Sequence, residues 1–461
     1  MIVNRQAPQP VINCYHSVVK NSAAKELYQA FTPNSSNISG KNLQSYNFEK
    51  SLENFGGSFS FTVVEDIVSG NTFMDKVQPL DIITISENGD GKLDFIGVVT
   101  TISIGGIASN LTKVVTISGK SIEWLLCYLT IDCDIKCTIF NNASANKEFI
   151  TDLANNDGEE GISINDIVIS SLKTFRYYVS DLKNKALDVG VSLITNFIVG
   201  DIIDLWFGKD WKTWVKGDSE KFAYPISSNL FESGKINVID YIKRLLPQPI
   251  YELYSYIDDV NMPKLKARVV PYDNPVTSYS ILPELITDYT LTRNCEEVYT
   301  SFMAYIEGTK QSPDFYMNLT TATGDNLKGY NISQLNKDKA AIYGYQLLTC
   351  SFVGYNAGKD SKANDQQVKD LNEKLERWFS KLDEMYSGDI TFVNLTETKT
   401  ARIGEWIKFA GALFYVTSER HSWNYGDNPM INYQVTRGGE YNNGYFTPIK
   451  SLSAVYKEFE E

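Results

Sequence analysis

From Leu43 onward the chain alternates apolar and polar positions at the period of a strand. Phe59, Phe61 and Val63 share one face, and Val77–Ile85 is followed by a turn at Asn88-Gly89-Asp90-Gly91 and a second alternating run, Leu93, Phe95, Gly97 and Val99. Lys113–Ser118 predicts another strand, and Gly119–Leu126 predicts the start of a helix capped by Ser121. The pattern weakens over residues 130–233, where Lys147–Ala154 and Ser171–Leu182 have helical spacing. Beyond it, Asn237–Leu246 predicts a helix stopped by Pro247, and strands follow at Pro249–Tyr254, Tyr256–Asp259 and Leu265–Tyr272. A second β region opens at Ile286–Arg293 and runs through Val298–Ile306, and residues 308–340 read as a polar loop. Val368, Leu371, Leu375, Trp378, Phe379 and Leu382 form the apolar stripe of a helix at about 366–386, with Gly388 as its stop.

The stretch Gly404–Gly438 is the most regular. Ile407 and Phe409 alternate, Ala410-Gly411-Ala412 turns, Phe414-Tyr415-Val416 restarts, Gly426–Pro429 breaks the chain, and Ile431, Tyr433 and Val435 resume. Its layout echoes the earlier one. Thr400–Phe409 with Phe414–Thr417 matches Val77–Ile85 with Phe95–Val99, which reads either as one barrel present twice or as two unrelated hairpins.

Composition narrows the functional classes. The 461 residues are 43% hydrophobic and 21% charged, ordinary globular values, and the 13% aromatic share favours β structure. A net charge of −13 without a basic block argues against a nucleic-acid reader. The first residues lack a basic then apolar leader, so synthesis and folding in a cytoplasm are expected, with the six cysteines as free thiols. The apolar run 189–200 is shorter than the roughly 20 residues a membrane span needs.

Candidate chemistry is sparse. Cys133 and Cys137 are spaced too widely for the usual zinc pair, and His16 and His421 are the only histidines, so neither a metal nor a cofactor is expected. Ser86–Gly97 imitates a calcium loop, but Gly97 stands where the bidentate glutamate belongs, so a hairpin turn is the reading. His421 beside Trp423 and Tyr425, and Cys14 beside His16, lack the partners of a catalytic base or a thiol hydrolase. A pair of carboxylates for glycoside cleavage has no required spacing, and residues 130–233 are the one region with room for it.

Several stretches resemble the tail hub proteins of bacteriophages and related contractile injection systems. They are P-Q-P-I-Y-E-L-Y (247–254), L-K-A-R-V-V-P-Y (265–272), Arg293 with Val298–Phe302, G-E-W-I (404–407), F-Y-V (414–416), H-S-W-N-Y-G (421–426) and T-R-G (436–438). The resemblance covers most of 40–125 and 235–445 and rests on Pro249, Glu252, Tyr254, Arg268, Pro271, Arg293, Gly404, Trp406, His421, Trp423, Tyr425, Gly426, Arg437 and Gly438. It implies an α+β, β-dominated fold of two similar tube-type barrels. A first barrel spans 1–129, a mixed insert 130–233, a helix and bridging strands 234–285, a second barrel 286–447 and a tail 448–461. It further implies a non-enzymatic homotrimer whose pseudo-sixfold ring joins a tail tube to a central spike among other baseplate proteins, in a virion or injection particle. DNA would pass through its lumen without specific binding. Residues 130–233 show no such match. Their Phe197, Trp206, Trp211 and Trp214 read as packing, a subunit contact or a channel plug, and a hydrolase or carbohydrate-binding role for the insert is the alternative.

Overall fold

The computed structural model describes residues 10–16, 27–32, 43–66, 77–106, 112–128, 130–132, 162–163, 168–169, 172, 202–203, 205–208, 211–217, 221–222, 235–307, 337–353, 361–395, 400–442 and 445–449. The fold is α+β and dominated by strands. In the first part lie β1 (Val11–Tyr15), β2 (Leu27–Phe31), β3 (Leu43–Ser51), β4 (Ser58–Asp66), β5 (Ile82–Ser86), β6 (Phe95–Gly106) and β7 (Thr112–Ser121). They run β3-β4-β7-β6-β5-β1-β2 across one antiparallel sheet. The alternating apolar positions face inward, where Phe48, Phe59, Phe61, Phe95, Val99 and Ile117 share a core. Gly119 makes room for it: a Cβ there would lie 1.9 Å from the Val98 carbonyl oxygen and 2.7 Å from the Phe59 ring. The predicted helix at 119–126 is corrected. Ser121 is still in β7, paired with Gly97, and a 3₁₀ turn occupies Ile122–Tyr128.

The middle of the chain contributes β8 (Thr130–Asp132), β9 (Ile162–Ser163), β10 (Val215–Gly217), β11 (Lys221–Phe222), β12 (Lys235–Asn237), α1 (Val238–Leu245), β13 (Tyr251–Ile257) and β14 (Pro263–Val269). The Asn237 side chain accepts from the Asp240 amide at 2.8 Å and caps α1, which ends before Pro247 as the sequence predicts. β10, β14 and β13 form a separate small sheet. Buried residues of the expected insert, among them Val168, Ile203, Trp206 and Trp214, pack in one cluster with Ile239, Leu253, Leu265 and Leu375 from later elements. The expected helix at 147–154, most of that at 171–182, Phe197 and the tail beyond Ile449 lie outside the described residues.

The last part holds β15 (Thr277–Ser280), β16 (Ile286–Thr292), β17 (Ser301–Glu307), α2 (Lys337–Tyr343), β18 (Leu347–Val353), α3 (Ser361–Phe379), β19 (Tyr386–Val393), β20 (Trp406–Phe409), β21 (Ala412–Asn424), β22 (Met430–Asn442) and β23 (Tyr445–Pro448). The helix predicted at 366–386 starts earlier and ends at Phe379, and Gly388 sits inside β19 rather than at a helix stop. Its φ is +149°, and a Cβ would fall 1.9 Å from the Thr290 carbonyl oxygen, so only glycine lets β16 and β19 approach there. β17 and β18 form a parallel pair against α3, a crossover inserted between β16 and β19.

The two ends of the chain follow one plan. β3-β4-β7-β6-β5 and β16-β19-β22-β21-β20 have the same strand order in space and along the chain. Their irregularities coincide as well. The register skips one residue at Gln44 in β3 and at Thr287 in β16. Thr100, bulged from β6, donates its hydroxyl to the Ser118 carbonyl, and Thr417, bulged from β21, donates to that of Gln434. Before β5, Leu80 has φ 76° and the Asp81 carboxylate accepts from the Gln78 amide at 2.8 Å. Before β20, Gly404 has φ 76° and Glu405 accepts from the Arg402 amide at 3.0 Å. Four local devices at matching places resolve the echo as one motif present twice. Among the described residues neither copy closes on itself as a separate barrel. β21 instead pairs with β3 through Ser418–Asn424, fusing the copies into one sheet of 14 strands.

Candidate functional site: the seam between the two motifs

The junction of β3 and β21 is sealed by aromatic rings and underlain by charge. His421 lies opposite Phe48 with ring centroids 4.5 Å apart, and Trp423 stacks on Tyr46 at 5.9 Å. Beneath them, Glu87 from the β5–β6 connection accepts from His421 Nδ1 at 3.0 Å and from the Tyr46 hydroxyl at 3.0 Å. Glu419, two residues before His421 on the same face, approaches Nε2 at 3.9 Å. Arg402 comes from the turn before β20 and spans the two motifs. One of its nitrogens lies 2.6 Å from Asp94 and the other 3.8 Å from Glu419. Nearby, Lys50 of β3 stands 3.6 Å from Glu123.

Burial and partner charges compete at each group. Burial alone would hold the His421 ring neutral, but the Glu87 carboxylate and contact with Glu419 outweigh it, and the pKa rises to about 9. Burial opposes ionisation of Glu87 too, yet the His421 charge and hydrogen bonds and the Arg402 charge hold its carboxyl below the ordinary range. For Glu419, Arg402 is the strongest counterweight to burial, and its pKa is also lowered. At Asp94 burial prevails and the pKa is raised despite Arg402. The seam is therefore a largely buried clamp in which His421, Glu87 and Glu419 are held in their charged forms. Among the described residues no cysteine or serine side chain joins His421, and no cluster of three or more His, Cys, Asp or Glu side chains is placed to hold a metal.

A second cluster gathers residues singled out in the sequence. Arg268 Nε lies 2.6 Å from Glu252, the Tyr415 hydroxyl donates to the same carboxylate at 2.6 Å, and the guanidinium covers the Tyr254 ring at 5.4 Å while donating to the Gly404 carbonyl. Gly404 fits closely here: its φ is +76°, and a Cβ would lie 2.9 Å from the Arg268 guanidinium and 3.0 Å from the Tyr254 ring, so a side chain would have to displace them. Trp406 Nε1 donates to the Pro271 carbonyl at 3.1 Å. Arg437 stacks on Tyr272 at 3.7 Å and donates to the Trp378 carbonyl, and Gly438 admits the Phe414 ring. Arg293 covers Tyr386 at 4.4 Å and donates to the Ile449 carbonyl. Pro249 follows a cis bond just before β13, while Tyr425 and Gly426 form the exposed turn after β21. Trp206 packs edge-on against Tyr15, and Trp214 packs against Phe207; both tryptophans are buried, and Trp211 opens the adjoining 3₁₀ turn.

The chain is similar to solved tail proteins. Against the 43 kDa tail protein of prophage MuSo2 from Shewanella oneidensis it is 11% identical, with 93% of this chain and 97% of that one covered, at a TM-score of 0.48. Against a tail protein from Neisseria meningitidis the identity is 10%, the coverage 95% and 98%, and the TM-score 0.49. An E. coli protein described as a component of the type VI secretion system, similar to T4 bacteriophage tail proteins, matches at 8% identity over 88% of this chain and 76% of its own, with a TM-score of 0.38. The sequence matches no protein-family model and no curated protein.

Sequence reasoning reached His421 and Trp423 but missed Glu87, Arg402 and Glu419, which come together from distant parts of the chain. The one available signal was Glu405 after Gly404 matching Asp81 after Leu80, which marks Arg402 as the start of a conserved turn geometry within this chain.

Proposed function

We propose that this protein is the structural hub of a phage tail or contractile injection baseplate, a homotrimer whose ring joins the tail tube to the central spike. The observation that carries the reading is the duplicated motif fused edge to edge through β3 and β21. A cyclic trimer meets a sixfold partner only if each chain offers the docking surface twice, and this chain carries two copies of one motif. The resemblance of 235–445 to tail hubs supports the same reading. The protein works by shape and symmetry rather than catalysis, with the tube, the spike and neighbouring baseplate proteins as partners. The net charge of −13 suits a lumen that repels passing DNA instead of trapping it. Electron-microscope class averages of the purified protein test this. A ring with threefold symmetry and sixfold modulation is expected, and compact single-chain particles at every concentration would contradict it.

A further inference from the structure

Trp406 and Arg437 meet in a cleft that the hub role does not use. It has a volume of about 540 Å³ and lies between the last turns of α3, Tyr272 and Asp273 after β14, and Phe446 and Thr447 of β23. The strand β22 is distorted to put Arg437 there. On one side Arg437 and Gly438 together stand opposite Phe414, and on the other Thr436 and Arg437 together stand opposite Ser387. Arg437 is therefore the extra residue of a bulge against both neighbouring strands, a device that re-aims a side chain. Its φ of 60° is a left-handed backbone that a residue other than glycine adopts at a cost, and its side chain lines the cleft.

The charges of the cleft cancel only in part. Arg377 and Asp273 pair with each other at 2.5 Å, and the Trp378 ring nitrogen donates to the same carboxylate at 2.7 Å. Arg437, only 3% exposed, stacks on Tyr272 and Phe379 and donates to the Trp378 carbonyl. Among the described residues no carboxylate lies within ion-pair reach of it. A buried guanidinium without an anion is costly, and its fork of donors suits a carboxylate. Glu376 is the reverse case: no described cation pairs with it, and burial, then the like charge of Glu373, raises its pKa. Glu373, three residues earlier on the same face of α3, has only the exposed Lys369 at 3.9 Å. Beside these groups the rings of Trp406 and Phe446 pack 5.2 Å apart.

We propose that the cleft binds a short peptide with both ends free, its terminal carboxylate on Arg437, its terminal ammonium on Glu373 and Glu376, and an apolar side chain against Phe446. An anion alone would leave the two carboxylates unmatched, and a cation alone would leave Arg437 so; a ligand carrying both charges answers both. A compact cleft of this volume is about 8 Å across, the reach of two or three extended residues. The site goes beyond the hub role and does not depend on it.

Calorimetric titration of the full-length protein tests the site, with alanylphenylalanine as the probe and two capped forms as controls, one acetylated at the amine and one amidated at the carboxylate. Saturable binding of one dipeptide per chain is expected, and each cap should weaken it at least about tenfold, because each removes a charge-assisted contact. Glu376→Gln, on an accessible helix face, should weaken the free dipeptide at least about tenfold and leave the weaker binding of the acetylated form unchanged. Arg437→Gln, on a chain whose urea midpoint is unchanged, should do the same for the free and the amidated forms; where that variant does not fold, the Glu376→Gln comparison decides alone. No saturable binding, a cap at either end that leaves affinity as it was, or an equal loss for the free and acetylated dipeptide in Glu376→Gln overturns the inference. Each of these results leaves the hub reading standing.

Discussion

Replacing His421 with glutamine removes the proton-bearing ring that bonds Glu87 while keeping a buried polar side chain of similar length. The folded ring titrates at about 9 against an ordinary value of 6.5. Each unit is worth about 1.36 kcal/mol, so the protonated ring contributes about 3 kcal/mol to folding. A histidine whose folded pKa is raised stabilises fully below its unfolded pKa and loses that contribution as pH rises through the folded one. The window therefore runs from 6.5 to about 9. Urea unfolding of parent and His421→Gln at about pH 6 and pH 9.5 measures the difference, and His16, present in both, cancels. The parent is expected to lead by about 3 kcal/mol in the acid condition, and the lead is expected to shrink by about that amount in the alkaline one. A lead that does not change with pH, or a variant as stable as the parent near pH 6, would refute the ionised clamp.

Glu87 and Glu419 set the opposite limit: both are held below the ordinary carboxylate range, so their contribution is present above it and lost as pH falls through their folded values. Acid unfolding should accordingly shift to higher pH in Arg402→Gln, and an unshifted midpoint would contradict the pairing. Arg268→Ala strands Glu252 in the second cluster and should lower stability by about 3–5 kcal/mol in urea, with Arg268→Lys restoring only part because it loses the fork that reaches Gly404. Gly404→Leu copies the residue of the equivalent first turn, Leu80, yet its Cβ meets Arg268 and Tyr254, so a loss above about 2 kcal/mol is expected by thermal unfolding. Gly388→Ala drives a Cβ into the Thr290 carbonyl and should both destabilise the fold and displace β16; unaltered stability would show that the two strands have room to part.

Strand positions were legible wherever one face is buried and the other is not. β21 and β22 follow the alternation of Phe414, Val416, Ile431, Tyr433 and Val435, and α1 ends at its Pro247 stop. Local signals failed where pairing overrides them. Ser121 looks like a helix cap but finishes β7, and Gly388 looks like a helix stop but serves a close approach of two strands. β18 was hidden because a short apolar run, Leu347–Val353, has no alternation when it is packed against a helix. The duplication showed only as a weak echo, since the copies keep backbone devices rather than residues: Leu80 and Gly404 share a φ, not a side chain. The seam was the least legible, because Tyr46, Glu87, Arg402, Glu419 and His421 meet only after β3 and β21 pair.

The solution mass of the full-length protein, read by light scattering across a concentration series, bears most directly on the hub. Three times the 52.0 kDa of one chain is expected. A parent that remains one chain at the highest concentration, alone and mixed with a tail tube protein, would contradict it.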